Sequence, residues 1–209
     1  MTAEVSKAYL REATTGLVKE AEVWDSIVEQ HLVDWETEWK PYRDMILQAH
    51  RAAGVSLLKW PQSRHWDWRN KYQCVQGMLS TPSFAVMCSG MTEGLMLLDL
   101  SLHRCQLPEQ KGKHLVYVDF LEVAPWNWKT SIGHSPRYAG VGSLLLRAAI
   151  ERSLEEGFKG RVGLHALPQA NSWYGKLGMI DFGPDSSKSN LHYFEMPLDK
   201  IDSFIGKDG

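Results

Sequence analysis

The sequence has little of what several protein classes require. Its 209 residues hold 23 Lys and Arg against 25 Asp and Glu, a formal net charge of −2. A chain with this charge, and with its basic residues scattered, has no general attraction for nucleic acid. No apolar run approaches the ~20 residues that cross a bilayer, and the opening residues lack the apolar core of a secretion signal. We therefore expect no nucleic-acid partner and no membrane partner.

Cysteine is equally scarce. The three cysteines, Cys74, Cys88 and Cys105, are odd in number and show no Cys-x-x-Cys spacing. This pattern argues against a disulfide framework and against a thiolate zinc site. We expect no bound metal, and the reducing cytoplasm is the expected location. The hydrophobic content of 44% is sufficient for a substantial core.

The N-terminal region is predicted to be helical. Apolar residues recur at helical spacing between Glu4 and Trp39, and Pro41 then interrupts the pattern. A second periodic segment, from Tyr42 to Ala53, stops at Gly54, a typical C-terminal residue of a helix. If this region also holds a strand, the strand lies within Val55 to Trp60.

A segment rich in tryptophan and charge follows, from Trp60 to Lys71. Its aromatic and basic side chains could stack on a nucleobase. The segment is interpreted as a packed loop or one irregular helix, and buried tryptophans that anchor it are the commoner arrangement, which we favour.

After Pro82 the sequence changes to short runs typical of strands. Three of them are predicted to form an antiparallel meander, and a later strand, helix and strand are predicted to form a parallel crossover. The predicted meander strands cover residues 84–88, 94–102 and 114–123, and the crossover uses a helix over 141–156 and a strand over 161–166. The expected fold class is α/β, a mixed sheet covered by helices.

The segment Arg137-Tyr138-Ala139-Gly140-Val141-Gly142 is the most informative motif, because an apolar helical stretch follows it at once. The first turn of a helix has unpaired N–H groups and a partial positive charge, and glycine lets a phosphate approach closely. A Rossmann motif needs a third glycine where Leu145 stands, and no Gly-Lys-Ser/Thr of a P-loop follows. The motif therefore predicts a phosphate-bearing ligand of another kind.

A second motif lies about thirty residues later, Trp173-Tyr174-Gly175-Lys176-Leu177-Gly178-Met179. Together with the Arg-x-x-Gly-x-Gly turn and the preceding strand, it resembles the GNAT superfamily of acyl-CoA-dependent N-acyltransferases. The resemblance runs from Phe84 to about Met196. It implies a GNAT-like core over residues 83–200, with a helical N-terminal extension over 1–82 and a C-terminal tail over 201–209.

The resemblance also implies where acetyl-CoA, the acyl donor, would bind. The pantetheine arm would pair with the strand backbone at Leu121 and Val123, and the pyrophosphate would lie on the N–H groups of the glycine turn. The family's usual Asn is Leu167 here, so whether Asn171 supplies that contact is left open. The cofactor-binding residues implied are Leu121, Val123, Arg137, Tyr138, Ala139, Gly140, Val141, Gly142, Ser143 and Asn171.

The catalytic residues follow from the same comparison. Tyr174 matches the family's tyrosine, and its hydroxyl could protonate the departing thiolate. The general base is drawn from Glu122 or Asp119, with Glu122 preferred; three residues apart, they face opposite sides of a regular strand. His134 and His165 are other potential proton carriers, although a lone histidine on a strand is more often structural.

The implied reaction is transfer of an acetyl group to a primary amine by direct attack. The expected partner is an amine on a small molecule, a peptide or a protein, and a homodimer is left open. Residues 126–135 form either an acceptor-binding loop or a Trp-anchored insertion. Two alternatives stay open: a CoA-binding sensor or scaffold without catalysis, and an acyltransferase acting on charged tRNA.

Overall fold

The computed structural model describes residues 3–129 and 135–206, apart from the side chain of Ser203. The strands in chain order are β1 (Val5–Glu12), β2 (Val18–Trp24), β3 (Ser83–Cys88), β4 (Met91–Asp99), β5 (Val116–Val123), β6 (Tyr138–Ala139), β7 (Val162–Ala166), β8 (Ile180–Asp185) and β9 (Leu191–Glu195).

The helices are α1 (Glu29–Asp34), α2 (Lys40–Ala52), α3 (Trp68–Val75), α4 (Val141–Glu155), α5 (Asn171–Lys176) and α6 (Leu198–Ile205). Short 3₁₀ turns lie at Leu57–Lys59, Pro108–Gln110, Pro125–Asn127, Pro168–Ala170 and Ser186–Lys188. Over the described ranges, none of the helices combines the length and the apolar character that a bilayer crossing requires.

Residues 5–24 form a β-hairpin, so the helix predicted between Glu4 and Trp39 is wrong over this stretch. β1 and β2 pair antiparallel with Tyr9 opposite Glu20, and Gly16 has φ +75° in the turn between them. Apolar residues are common here, but in the two strands only Leu10 and Ala21 are buried, so the apolar positions do not mark one buried face with a clear period of two. Pairing between the two strands stabilises the extended conformation of this segment.

The chain is helical from Glu29 to Ala52, so Pro41 does not end the helix as predicted. A π-helical turn, Trp35–Trp39, joins α1 to α2, and Pro41 lies in the first turn of α2. A π turn changes the spacing of the backbone hydrogen bonds, which accommodates the N–H that proline lacks. Beyond α2, Gly54 has φ +63°, as the sequence indicates.

The tryptophans between residues 60 and 68 are anchors. Trp68 is fully buried and Trp60 is 8% exposed, and the Trp60 indole N–H donates to the carbonyl of Val55 at 2.9 Å. Trp60 and Trp68 are thus buried rings of the kind expected, while residues 68–71 begin helix α3 and are not part of a loop. The 3₁₀ turn at Leu57–Lys59 shows that the strand considered within residues 55–60 is not formed.

The chain packs as two compact units. Unit 1 comprises Met1–Met78, Ser83–Met96 and Leu121–Leu145, and unit 2 comprises Leu79–Pro82, Leu97–Phe120 and Leu146–Gly209. Each unit is assembled from three separate stretches of the chain. The domain assignment made from the sequence stays a prediction.

Unit 1 has the strand order β6-β1-β2-β3-β4, and the pairings of β1 with β6 and with β2, and of β2 with β3, are antiparallel. Two buried polar contacts attach the N-terminal helices to β4. Asp34 accepts from both the N–H and the hydroxyl of Thr92, at 3.0 and 2.6 Å, and the Trp39 indole donates to the Thr92 carbonyl at 2.8 Å. The carboxylate of Asp34, the hydroxyl of Thr92 and the indole N–H of Trp39 thus have partners, which avoids the cost of desolvating them alone.

Unit 2 contains the parallel pair that the crossover prediction requires. β5 and β7 run parallel with Val116 opposite Val162, and β7 and β9 pair antiparallel, as do β9 and β8. The crossover prediction is therefore confirmed, and the sheet is mixed, as the fold class requires. Cys105, Leu115, Tyr117 and Tyr193 form one buried cluster of this unit.

Gly94 is the position where β4 meets the first turns of α4. A Cβ there would lie 2.8 Å from Cγ1 of Val141 and 2.9 Å from Cδ1 of Leu145, both buried side chains. We predict that Gly94→Ala lowers the free energy of unfolding by about 1–3 kcal/mol through overpacking, measured by urea denaturation. Gly206→Ala, where a Cβ meets open space, is the control and should change it by less than about 0.5 kcal/mol. Equal effects of the two substitutions would contradict the packing described.

Candidate active site

The predicted phosphate turn lies in unit 1, at the start of α4. Gly140 has φ +101°, a conformation that residues with a Cβ rarely adopt, and it connects β6 to Val141. The N–H of Leu144 donates to the Gly140 carbonyl at 2.9 Å, the first hydrogen bond of the helix. The N–H groups of Val141, Gly142 and Ser143 precede that bond and have no partner within the helix. A helix start with this geometry is suited to an anion, and the predicted phosphate contact stays a prediction.

The segment before this turn is held by backbone contacts from two directions. The Ala13 N–H donates to the Arg137 carbonyl at 3.0 Å, and the Arg137 N–H donates to the Trp126 carbonyl at 3.2 Å. Ala139 stands opposite Arg11 in the ladder between β6 and β1. The N-terminal hairpin is therefore part of the support of the turn, a role that its sequence did not indicate.

The N–H of Tyr138 is predicted to be one of the donors to a phosphate, but it does not belong to that set. Its N–H donates to Oδ1 of Asn127 at 2.9 Å, and its side chain is buried, with its hydroxyl 3.2 Å from that of Ser89. The backbone N–H of Tyr138 is consequently engaged by the protein itself. The donors that remain for an anion lie nearer to the helix, from Gly140 to Ser143.

Arg137 is fixed by two neighbours. Its Nη1 lies 3.5 Å from Oε1 of Glu93, and its guanidinium lies over the ring of Trp126 at 4.5 Å from the centroid. The Arg137 side chain is 44% exposed, so one side of the guanidinium meets solvent. This is the geometry of a cation that is oriented by the protein and still accessible to a ligand.

Sequence reasoning did not identify Glu93. The residue is fully buried, and its Oε2 accepts from the indole of Trp126 and from the amide of Asn127, both at 2.7 Å. Burial raises the pKa of Glu93 to about 7, against the lowering effect of the two hydrogen bonds and of Arg137. The available signal was a single carboxylate within the apolar run of β4, which must find partners if it is buried.

Glu122 lies near the end of β5, in unit 1, and is buried. Its Oε2 accepts from the indole N–H of Trp68 at 2.6 Å. Burial raises its pKa to about 7, while hydrogen bonds from Ser63 and Trp68 and the positive charge of Arg43 and Lys71 act in the opposite direction. A carboxyl group with this pKa exchanges its proton at neutral pH, as a general base must.

The two residues beside Glu122 are the ones predicted to pair with a pantetheine arm. Leu121 and Val123 are half-buried. The Val123 carbonyl already accepts from the indole of Trp128 at 3.0 Å, which leaves one lone pair of that oxygen for another donor.

Asp119 and Glu122 differ in environment, as expected for residues on opposite sides of a strand. Asp119 is exposed, whereas Glu122 is buried. Asp119 belongs to unit 2, where its charge contributes to raising the pKa of Tyr117.

Tyr174 is also in unit 2, on α5, and is 6% exposed. The rings of Trp173 and Phe194 lie 4.7 and 5.8 Å from its ring. Burial raises its pKa well above the usual value, so the phenol keeps its proton at neutral pH and can act as a donor. Asn171, at the start of α5, has a buried Oδ1 without a hydrogen-bond partner among the described residues.

The two histidines considered as proton carriers have different outcomes. His165 is engaged at both nitrogens: Nδ1 lies 2.8 Å from the hydroxyl of Tyr117, and Nε2 lies 3.1 Å from Oδ2 of Asp185. Because Asp185 accepts only, Nε2 carries the proton and Nδ1 accepts from the phenol. Burial lowers the pKa of His165, and its contacts fit a structural residue. His134, with residues 130–133 of the predicted acceptor loop, lies outside the described residues.

The predicted site residues are thus distributed over both units. Unit 1 brings together Leu121, Glu122, Val123, Arg137, Tyr138, Ala139, Gly140, Val141, Gly142 and Ser143, and unit 2 holds Asp119, Asn171 and Tyr174. Within residues 3–129 and 135–206, no three side chains of His, Cys, Asp or Glu are grouped to bind a metal ion.

Comparison with known proteins identifies the fold. No family model matches the sequence, and none of the curated proteins matches it. Solved structures do match. Arylalkylamine N-acetyltransferase 7 of the yellow fever mosquito shares 14% identity over 95% of this chain and 97% of its own, with a TM-score of 0.54. The GNAT domain of S. lividans PAT shares 17% identity over 92% and 96%, with a TM-score of 0.52.

A third structure, Mycobacterium smegmatis RimJ in complex with CoA-disulfide, shares 12% identity over 96% of this chain and 92% of its own, with a TM-score of 0.50. The identities are low and the coverage is nearly complete, so the likeness concerns the fold. The chain has the GNAT fold, as its two motifs indicate.

Proposed function

We propose that this protein is an acetyl-CoA-dependent N-acetyltransferase that acetylates a primary amine by direct attack. The observation that carries the proposal is the phosphate turn: a helix start whose first N–H groups have no partner within the helix, a glycine with positive φ and an oriented, accessible arginine. In a chain with the GNAT fold, this turn suits the pyrophosphate of CoA.

The proposed chemistry moves two protons. The neutral amine nitrogen attacks the thioester carbonyl, a C–N bond forms, and the C–S bond breaks as the tetrahedral intermediate collapses. Glu122 accepts the proton that the attacking nitrogen loses, and Tyr174 gives its proton to the departing thiolate. The raised pKa of Glu122 suits a base at neutral pH, and the raised pKa of Tyr174 keeps its phenol protonated until the thiolate departs. Positioning of the two substrates accounts for a further large part of the rate.

The cofactor assignment predicts a selective effect of Arg137→Gln. The variant loses a charge-assisted contact to phosphate and should weaken CoA binding about tenfold or more. Binding of pantetheine, which carries no pyrophosphate, should change little. Calorimetric titration of both compounds measures this, and Arg147→Gln, which removes an ion pair within α4, is the control. Equal weakening for both ligands would contradict a phosphate contact at Arg137.

The acid assignment predicts that Tyr174→Phe lowers turnover by roughly 10²-fold or more, because the thiolate departs without its proton donor. Affinity for CoA should change little, since the phenyl ring keeps the packing against Phe194. Release of CoA thiol with a panel of amines is the assay. Unchanged turnover removes Tyr174 from the mechanism, and tight CoA binding with no turnover on any amine favours the sensor alternative.

The base assignment predicts a pH dependence. As pH rises through about 7, Glu122 loses its proton and kcat/KM should rise to a plateau. Glu122→Gln cannot accept the proton, so its kcat/KM should be lower by roughly 10²-fold or more and should lack this rise. A rise near pH 7 that persists in Glu122→Gln would assign the titration to another group.

A further inference from the structure

We infer that Glu93 is a positioning residue that holds Arg137 in the ligand-free protein and takes up a proton when a phosphate of CoA engages Arg137. The inference rests on the proposed function, because it concerns the binding of CoA at the phosphate turn. It adds a residue that neither motif contains, and it makes CoA affinity depend on pH.

The contacts of Glu93 reach each part of the turn's support. Through Oε2 it orients Trp126 and Asn127. Asn127 in turn accepts the N–H of Tyr138, and Trp126 lies under the guanidinium of Arg137. The backbone carbonyl of Glu93 also accepts from the N–H of Ala124, at 2.8 Å. One buried carboxyl group therefore fixes the segments on both sides of residues 128–136.

The second carboxylate oxygen is not held in the same way. Oε1 is buried and has no hydrogen-bond partner among the described residues; the nearest charge is Nη1 of Arg137 at 3.5 Å. A buried carboxylate is stable in its charged form only while a cation compensates it. In the ligand-free protein, Arg137 provides that compensation.

A phosphate at Arg137 changes this balance. The guanidinium cannot release its proton, so it is shared between two anions, and the added negative charge raises the pKa of Glu93 further. Arg137 and the phenol of Tyr138 are the titratable groups that interact with Glu93, and Trp126 and Asn127 are its neutral donors. Because burial already places the Glu93 pKa at about 7, a further rise draws a proton from solvent at neutral pH.

The expected number of protons taken up on CoA binding follows from the change in the Glu93 pKa. At pH 7.5, a rise of about one unit from a pKa of about 7 changes the protonated fraction from roughly a quarter to roughly three quarters, or about half a proton per CoA. Binding with proton uptake weakens as pH rises, here by about fivefold between pH 7 and pH 9.

The test is calorimetric titration of the intact protein with CoA in two buffers of different ionisation enthalpy, which gives the number of protons taken up. We expect the uptake in the wild type, its loss in Glu93→Gln, and its retention in Glu122→Gln, whose carboxyl group has a similar pKa. The titration of CoA itself is common to all three proteins and cancels in the comparison. Equal uptake by the wild type and Glu93→Gln, or no uptake by either, overturns the inference.

A second experiment, carried out without CoA, distinguishes failure of this inference from failure of the proposed function. Infrared spectroscopy follows the protonated carboxyl band of Glu93 against pH, identified as the band absent in Glu93→Gln. Arg137→Gln should move its titration to higher pH, because the compensating cation is lost; an unmoved titration overturns the inference whether or not CoA binds. Failure of the wild type to bind CoA, with the band shifted as expected, contradicts the proposed function alone.

Discussion

The hydrogen bonds of one buried carboxyl group, Glu93, are the constraint on which the candidate cofactor turn depends. Trp126 and Asn127 are separated from Glu93 by 33 and 34 residues, and each of them then contacts the segment that leads into α4. The two ends of the connection into α4 that the structure describes are thereby held in place. The free-energy cost of burying this carboxylate is offset by one indole donor, one amide donor and the nearby guanidinium of Arg137.

Glu122, on the neighbouring strand, is also a buried carboxyl group held by hydrogen bonds from residues distant in sequence. Its partners, Trp68 and Ser63, come from the Trp-rich segment, so this segment supports a carboxyl group of the candidate site. Both carboxyl groups have a pKa near 7 because burial outweighs their hydrogen bonds. Unit 1 therefore holds two acids that can change charge at neutral pH, one beside the candidate phosphate site and one at the end of β5.

The parts of the fold that the sequence predicted are those encoded locally. The positive φ of Gly140 and the start of α4 follow from residues within one short segment, and so does the left-handed Gly54. The parallel pair of β5 and β7 follows from the order strand, helix, strand. The hairpin of residues 5–24 was not predicted, because few of its apolar residues are buried and its outer pairings are with β3 and β6, which are distant in sequence.

The residues of the candidate site also fall into those recognisable from local sequence and those that only the fold brings together. Arg137 and Tyr174 are recognisable within their motifs, whereas Glu93 and Asn127 become meaningful only when the fold brings them to the turn. The use of the Tyr138 N–H by Asn127 could not be read from either residue alone. Sequence motifs therefore identify the residues proposed to contact a ligand. The residues that hold them in position are identified only from the contacts in the folded structure.

The pairing of β1 with β6 has a consequence for how the chain folds. Arg11 and Ala139 are opposite each other and are separated by 139 − 11 = 128 positions, so the support of the phosphate turn is a contact of high sequence separation. Such contacts form late, after the entropy of closing a long loop has been overcome. At ~5–20 residues per second, synthesis of the intervening chain takes on the order of 10 s. During that interval Arg11 and Glu12, the residues of β1 that pair with β6, have no partner on that edge, and a nascent chain would need to keep them from pairing with another molecule.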